Sequence, residues 1–185
     1  MQLTEHFSLE VLIASETAAR AGIDNTPPDA IIVNLRALAE GLELVRKALN
    51  GKPVHVSSGY RCERLNVAIG GSRKSMHMQG LAADILCPAF GPPLEVCRAI
   101  SAAGIETDQI IHEFGRWCHV AFAARDARPR RELLTIASLV RGYEHGLNPV
   151  AEESRVNKSI IVSLLAEGAR SSSRREMRRA SDSRR

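Results

Sequence analysis

A chain of 185 residues, 44% hydrophobic and 25% charged, has the size and composition of a soluble globular protein with one core and an extension, and no stretch is apolar for long enough to span a bilayer. The formal net charge of +4 is uneven: residues 170 to 185 hold seven arginines against only Glu176 and Asp182, so the basic character belongs largely to the tail. Cys62, Cys87, Cys97 and Cys118 show no Cys-x-x-Cys spacing, which argues against a four-thiolate zinc site and a thioredoxin-type redox pair and leaves four free thiols as the expectation.

The first residues lack a basic start followed by an apolar run, so no secretory signal is expected and synthesis should end in the cytoplasm. Ser8 and Ser15 are placed to cap two short helices, the second ending at Gly22. After the Asn25-Thr26-Pro27-Pro28 turn, Ile31, Leu35, Leu38, Leu42, Val45 and Leu49 recur at spacings of four and three, the apolar stripe of a long amphipathic helix. Val54 to Ser57 alternates as a short strand leading into Ser58-Gly59-Tyr60-Arg61, and Arg61 to Ile69 allows a helical turn with Leu65 inward. Ala82 to Leu86 reads as a strand, Pro93 to Ala103 as a helix stopped by Gly104, and Asp108–Phe114 with Trp117–Ala123 as a hairpin around Gly115 and Arg116. Arg128 to Leu134 is expected to leave the sheet. The predicted fold class is α+β, a small mainly antiparallel sheet with helices packed on one side. The expected domains are a main folded unit over 1–135, a weakly helical extension over 136–168 and a basic, disordered tail over 169–185.

One stretch stands apart, Ser75-Met76-His77-Met78-Gln79-Gly80-Leu81-Ala82-Ala83-Asp84, in which an imidazole precedes a carboxylate by seven residues. Gly80 allows a turn that a side chain would obstruct, so Asp84 can stand on a strand while His77 folds back toward it. Downstream, Trp117-Cys118-His119 offers a second imidazole. The order Ser-Gly-Tyr-Arg, Ser-x-His-x-x-Gly-x-Ala-x-Asp, Trp-x-His, matched at Ser58 to Arg61, at Ser75, His77, Gly80, Ala82 and Asp84, and at Trp117 and His119, resembles the zinc D-Ala-D-Ala carboxypeptidases of the M15 peptidase family, over roughly residues 2 to 135. The resemblance is greatest to the family's small single-domain branch, common among phage and prophage cell-wall enzymes, and it implies the hedgehog/D-Ala-D-Ala peptidase-like fold.

His77, Asp84 and His119 form a set suited to one tetrahedral zinc per chain with a position left open; manganese or iron would also accept it. Such a metal polarises a peptide carbonyl and acidifies water, so the reaction class is metal-assisted peptide hydrolysis. Glu113 is the candidate general base, the one carboxylate close in sequence to His119, with His112 as the alternative base or transition-state donor. A three-residue turn over 115–117 would set Glu113 opposite His119, whereas a two-residue turn would set His112 there and point Glu113 away. In better-known family members the acid lies three residues before the histidine, a position held here by Arg116. Arg61 matches the family arginine that holds substrate near the scissile bond; otherwise it forms a surface salt bridge. Ser75 is expected to hydrogen-bond within the metal loop or to Asp84, Trp117 to pack beside the metal, and His6, His55 and His145 to be structural.

The resemblance implies a monomeric enzyme acting on peptidoglycan stem peptides, as carboxypeptidase or endopeptidase, in a cell wall that it reaches by another system. A non-catalytic zinc-containing wall-binding module, as in hedgehog-like relatives, is the alternative, and the Arg116 substitution is its support. The arginine tail offers an accessory contact with an anionic surface or nucleic acid.

Overall fold

The computed structural model describes residues 1–150. Two short helices, α1 (Leu9–Ile13) and α2 (Glu16–Ala21), open the chain, capped by the Ser8 and Ser15 hydroxyls as their sequence predicts. The long helix α3 (Asp29–Ala48) follows Pro28, which sits at the cap rather than inside the first turn. Leu35, Leu38, Leu42, Val45 and Leu49 of its stripe are fully buried. Then come β1 (His55–Ser58), α4 (Glu63–Ala68), a 3-10 turn over Met76–Gln79, β2 (Ala82–Leu86) and α5 (Pro93–Ala102). Four strands finish the described chain: β3 (Gln109–Glu113), β4 (Trp117–Ala121), β5 (Glu132–Ile136) and β6 (Tyr143–His145). Among the described residues no helix is long and apolar enough to cross a membrane.

The fold is α+β, with one six-stranded sheet in the order β1-β2-β4-β3-β5-β6, antiparallel except where β5 runs parallel to β3. Side chains alternate across a strand, so the register assigns each residue a face. Ala83, Ile85, Ile110, Cys118 and Val120 point to one side and join Leu35, Leu38, Leu42, Val96, Cys97 and Ile100 in the main core. On the other face one row runs across the whole sheet through the paired positions Ser58, Asp84, His119, Ile111, Leu134 and His145. The helices thus close one face while the other carries Asp84 and His119. All four cysteines are free thiols, three of them buried, with Cys62 the more exposed.

Two expectations need correction. The segment after Arg128 does not leave the sheet: Glu132–Ile136 enters it beside β3, pinned where the Glu132 amide donates to the Asp108 carbonyl at 3.0 Å and the Arg130 guanidinium holds the Asp108 carboxylate. A parallel partner reached through a long connection leaves no local signal comparable to a hairpin turn. The sheet also runs past the expected boundary at 135, since β6 pairs with β5 and Val150 is buried. The remainder of the extension expected over 136–168, from 151 onward, and the whole tail expected over 169–185 lie outside the described residues.

Candidate metal centre

His77, Asp84 and His119 are brought together from three elements, the 3-10 turn, β2 and β4, and all three are buried. Register does part of this work, because Asp84 and His119 are direct partners on adjacent strands and share a face. The turn does the rest. Gly80 closes it at φ +68°, and a Cβ there would stand 2.9 Å from the Ile31 side chain, so the position needs glycine for both conformation and space.

The three donor atoms lie close to one another. His77 Nε2 is 3.2 Å from His119 Nδ1 and 3.3 Å from Asp84 Oδ1, and His119 Nδ1 is 2.9 Å from the same oxygen. Metal bonds of about 2.0–2.2 Å at tetrahedral angles separate donors by roughly 3.3–3.6 Å, so shifts of a few tenths of an ångström convert this triangle into three ligands of one ion. Protonation agrees with that use. His77 Nδ1 donates to the Gly59 carbonyl at 2.6 Å, which leaves Nε2 a bare lone pair aimed at the centre. Burial pushes the His77 pKa down and keeps the ring neutral, the form a metal requires, despite the pull of Asp84. For Asp84, burial acts to raise the pKa, but the charges and hydrogen bonds of His77 and His119 outweigh it and hold the carboxyl well below the usual range. His119 moves upward: burial opposes its charge, but the bond to Asp84 prevails.

Arg61 does not form a surface salt bridge. Its side chain is 14% exposed, and Nη2 donates to Asp84 Oδ2 at 2.5 Å while Nε donates to Ser58 Oγ at 2.8 Å. With Oδ2 occupied by the guanidinium, Oδ1 is the oxygen turned toward the histidines. A β-bulge at Ser57 and Ser58, where two residues face Asp84, sets the Ser58 side chain for this role, and Ser57 Oγ donates to the Asp84 carbonyl. Arg61 thus holds the Asp84 carboxylate and Ser57 its backbone carbonyl, while Ser75, expected to bond within the metal loop or to Asp84, is tied by its backbone to Ser72 and Met78 in the loop.

The β3–β4 hairpin takes neither register anticipated. Its connection is 114–116, so Glu113 pairs with Trp117, His112 with Cys118 and Ile111 with His119. Phe114 and Gly115 both adopt positive φ, and Phe114 is buried against Trp117 with ring centroids 5.8 Å apart. That packing draws Phe114 into the turn. Glu113 nevertheless falls on the face of His119, one step along the strands, and Trp117 Nε1 donates to its Oε2 at 3.1 Å. Its charge reaches the centre, adding to the upward pull on His119. His112 points to the opposite face, where Nδ1 lies 2.8 Å from the Asn148 carbonyl, so it is not gathered into the site. Arg116 is exposed in the turn.

Sequence reasoning missed Asn25. This buried side chain donates to the Ile13 and Tyr60 carbonyls at 2.8 and 3.0 Å and accepts from the Cys62 amide at 2.8 Å, tying α1 to the loop that carries Gly59 and Arg61. An asparagine before two prolines reads as a turn residue, and only its burial reveals the tether. A family model described as Peptidase M15 matches residues 5–121 of the chain. No curated protein matches it.

Proposed function

Because the chain belongs to the peptidase M15 family, we propose that it is a zinc-dependent peptidase that cuts peptidoglycan stem peptides. The observation that carries the metal part of this reading is the triangle of His77 Nε2, Asp84 Oδ1 and His119 Nδ1, three donors without a cysteine, the count and chemistry of a catalytic rather than a structural site. A zinc ion held there would supply Lewis acidity to the scissile carbonyl and lower the pKa of water. Glu113 receives the proton of the attacking water and returns it to the departing amine, from a side chain oriented by Trp117 Nε1. Arg61 fixes Asp84 through Nη2, while Nη1, without a hydrogen bond among the described residues, is available to a substrate oxygen. The stem-peptide substrate comes from the family resemblance of the Ser58–Arg61, Ser75–Asp84 and Trp117–His119 segments, which is also the ground for expecting a monomer at a cell wall.

The test is incubation of the zinc-loaded protein with defined muropeptides, read by mass spectrometry. Loss of a terminal D-Ala identifies a carboxypeptidase, and cleavage inside the stem an endopeptidase. Glu113→Gln retains zinc and loses turnover by roughly two to four orders of magnitude. The exposed Arg116, where other members carry an acid, favours a second reading, a zinc-containing wall-binding module; muropeptide binding without cleavage by the native chain is its signature.

A further inference from the structure

The register places one more side chain on the site's face. Tyr143 of β6 pairs with Ile136 of β5, which pairs with Glu113 of β3, so the three share a face and form one row across the sheet. That row lies one step from the row of Asp84 and His119. Ile111 and Leu134 of the one row and Ile136 and Trp117 of the other, joined by Phe114, form a small apolar cluster on this face, separate from the main core and alongside Glu113 and Tyr143. Two strand spacings of about 4.8 Å separate the β6 backbone from that of β3, a gap that a tyrosine side chain leaning inward can narrow.

Tyr143 has the properties of a group that is used rather than packed. It is 59% exposed, and its hydroxyl makes no hydrogen bond among the described residues. Partial burial first, then the negative charges of Glu113 and Asp84, raise its pKa, which favours the protonated phenol, a hydrogen-bond donor. The Peptidase M15 match ends at residue 121, so β5 and β6 add to the matched region an outer wall on the Glu113 side of the centre, across from Arg61.

We propose that Tyr143 is a substrate-contacting residue of this site, its hydroxyl donating a hydrogen bond to a carbonyl or carboxylate oxygen of the peptide bound between β6 and the His77–Asp84–His119 centre. Tyr143 and Arg61 then grip the peptide from opposite sides of the metal, with Glu113 between them. The contact rests on the peptidase reading for the identity of its ligand.

The experiment compares native protein with Tyr143→Phe, which removes only the hydroxyl, and Tyr143→Ala, which also removes the ring. Zinc content and Tm are recorded for each. Cleavage of a stem pentapeptide gives kcat/KM, and calorimetric binding of the same peptide to zinc-loaded Glu113→Gln, with and without Tyr143→Phe, gives Kd. The expected result for Tyr143→Phe is unchanged zinc and Tm with kcat/KM lower by about five- to tenfold, the usual worth of one neutral hydrogen bond. Tyr143→Ala should lose more, mainly through KM. A solvated edge tyrosine predicts no change, so native kcat/KM and Kd in Tyr143→Phe overturn the contact while leaving the peptidase reading intact. Hydroxyl-dependent binding by a chain that cleaves nothing sinks the peptidase reading and upholds the contact. Absence of both binding and cleavage overturns both.

Discussion

At the scale of single residues, the centre depends on side chains whose second nitrogen or oxygen is already committed. His77 can present Nε2 because the Gly59 carbonyl holds Nδ1, and that carbonyl is fixed because the Tyr60 amide donates to the Leu12 carbonyl at 2.7 Å. A Cβ at Gly59 would lie 2.2 Å from the Leu12 oxygen, a backbone atom that cannot swing aside. Gly59→Ala should therefore displace the carbonyl and weaken zinc binding about 10- to 100-fold, the usual worth of a partner behind a metal ligand, in a chelator-competition titration. Native affinity would show that the loop absorbs the methyl elsewhere. His77→Ala and His119→Ala should abolish stoichiometric zinc, whereas His112→Ala, on the other face, should keep it; metal analysis of the three proteins separates these outcomes.

At the scale of elements, the attachment of β5 turns on Asp108, whose carboxylate accepts from the Arg130 amide, Nε and Nη2 at 2.9, 3.0 and 2.6 Å. Burial acts to raise the Asp108 pKa, but these bonds prevail and hold it low. A carboxyl held below its unfolded value contributes stability above about pH 4 and loses it as pH falls through the folded value. Asp108→Asn should cost about 1–2 kcal/mol at neutral pH, because Arg130 is half exposed, and should flatten the acid limb of a urea-stability curve below pH 4. An unchanged acid limb would place that sensitivity elsewhere. Capping serines, the α3 stripe and strand Ala82–Leu86 were legible in the sequence because each follows a local period or cap. The Ser75–Asp84 spacing likewise pointed to two of the three grouped side chains. The hairpin register and β5 were not legible: one turned on where a buried Phe114 prefers to lie, the other on an ion pair between residues 22 positions apart. Arg61 was singled out as a site residue, but its bond to Asp84 was not legible, since that partner lies 23 residues away and no local pattern announces it.

At the scale of the whole molecule, the described unit reaches Val150, where Leu147 packs on the main core and its carbonyl accepts from Arg98 at 3.2 Å. A chain ending after Val150 should retain zinc and cleave small peptides as the full protein does. It should bind anionic envelope or nucleic acid less well, because the seven arginines of residues 170 to 185 are gone, and the deficit should shrink as salt rises. Equal binding by both proteins at low salt would leave the tail without that role. The grouping of His77, Asp84 and His119 has a bearing on how the chain comes together in time. The first two emerge within one short stretch and can meet as soon as the turn at Gly80 closes, but His119, 35 positions after Asp84, arrives only when β4 docks on β2. Tight capture of an ion from solution is thus a clock for assembly of the middle of the sheet, started by dilution from denaturant and stopped when the third imidazole arrives.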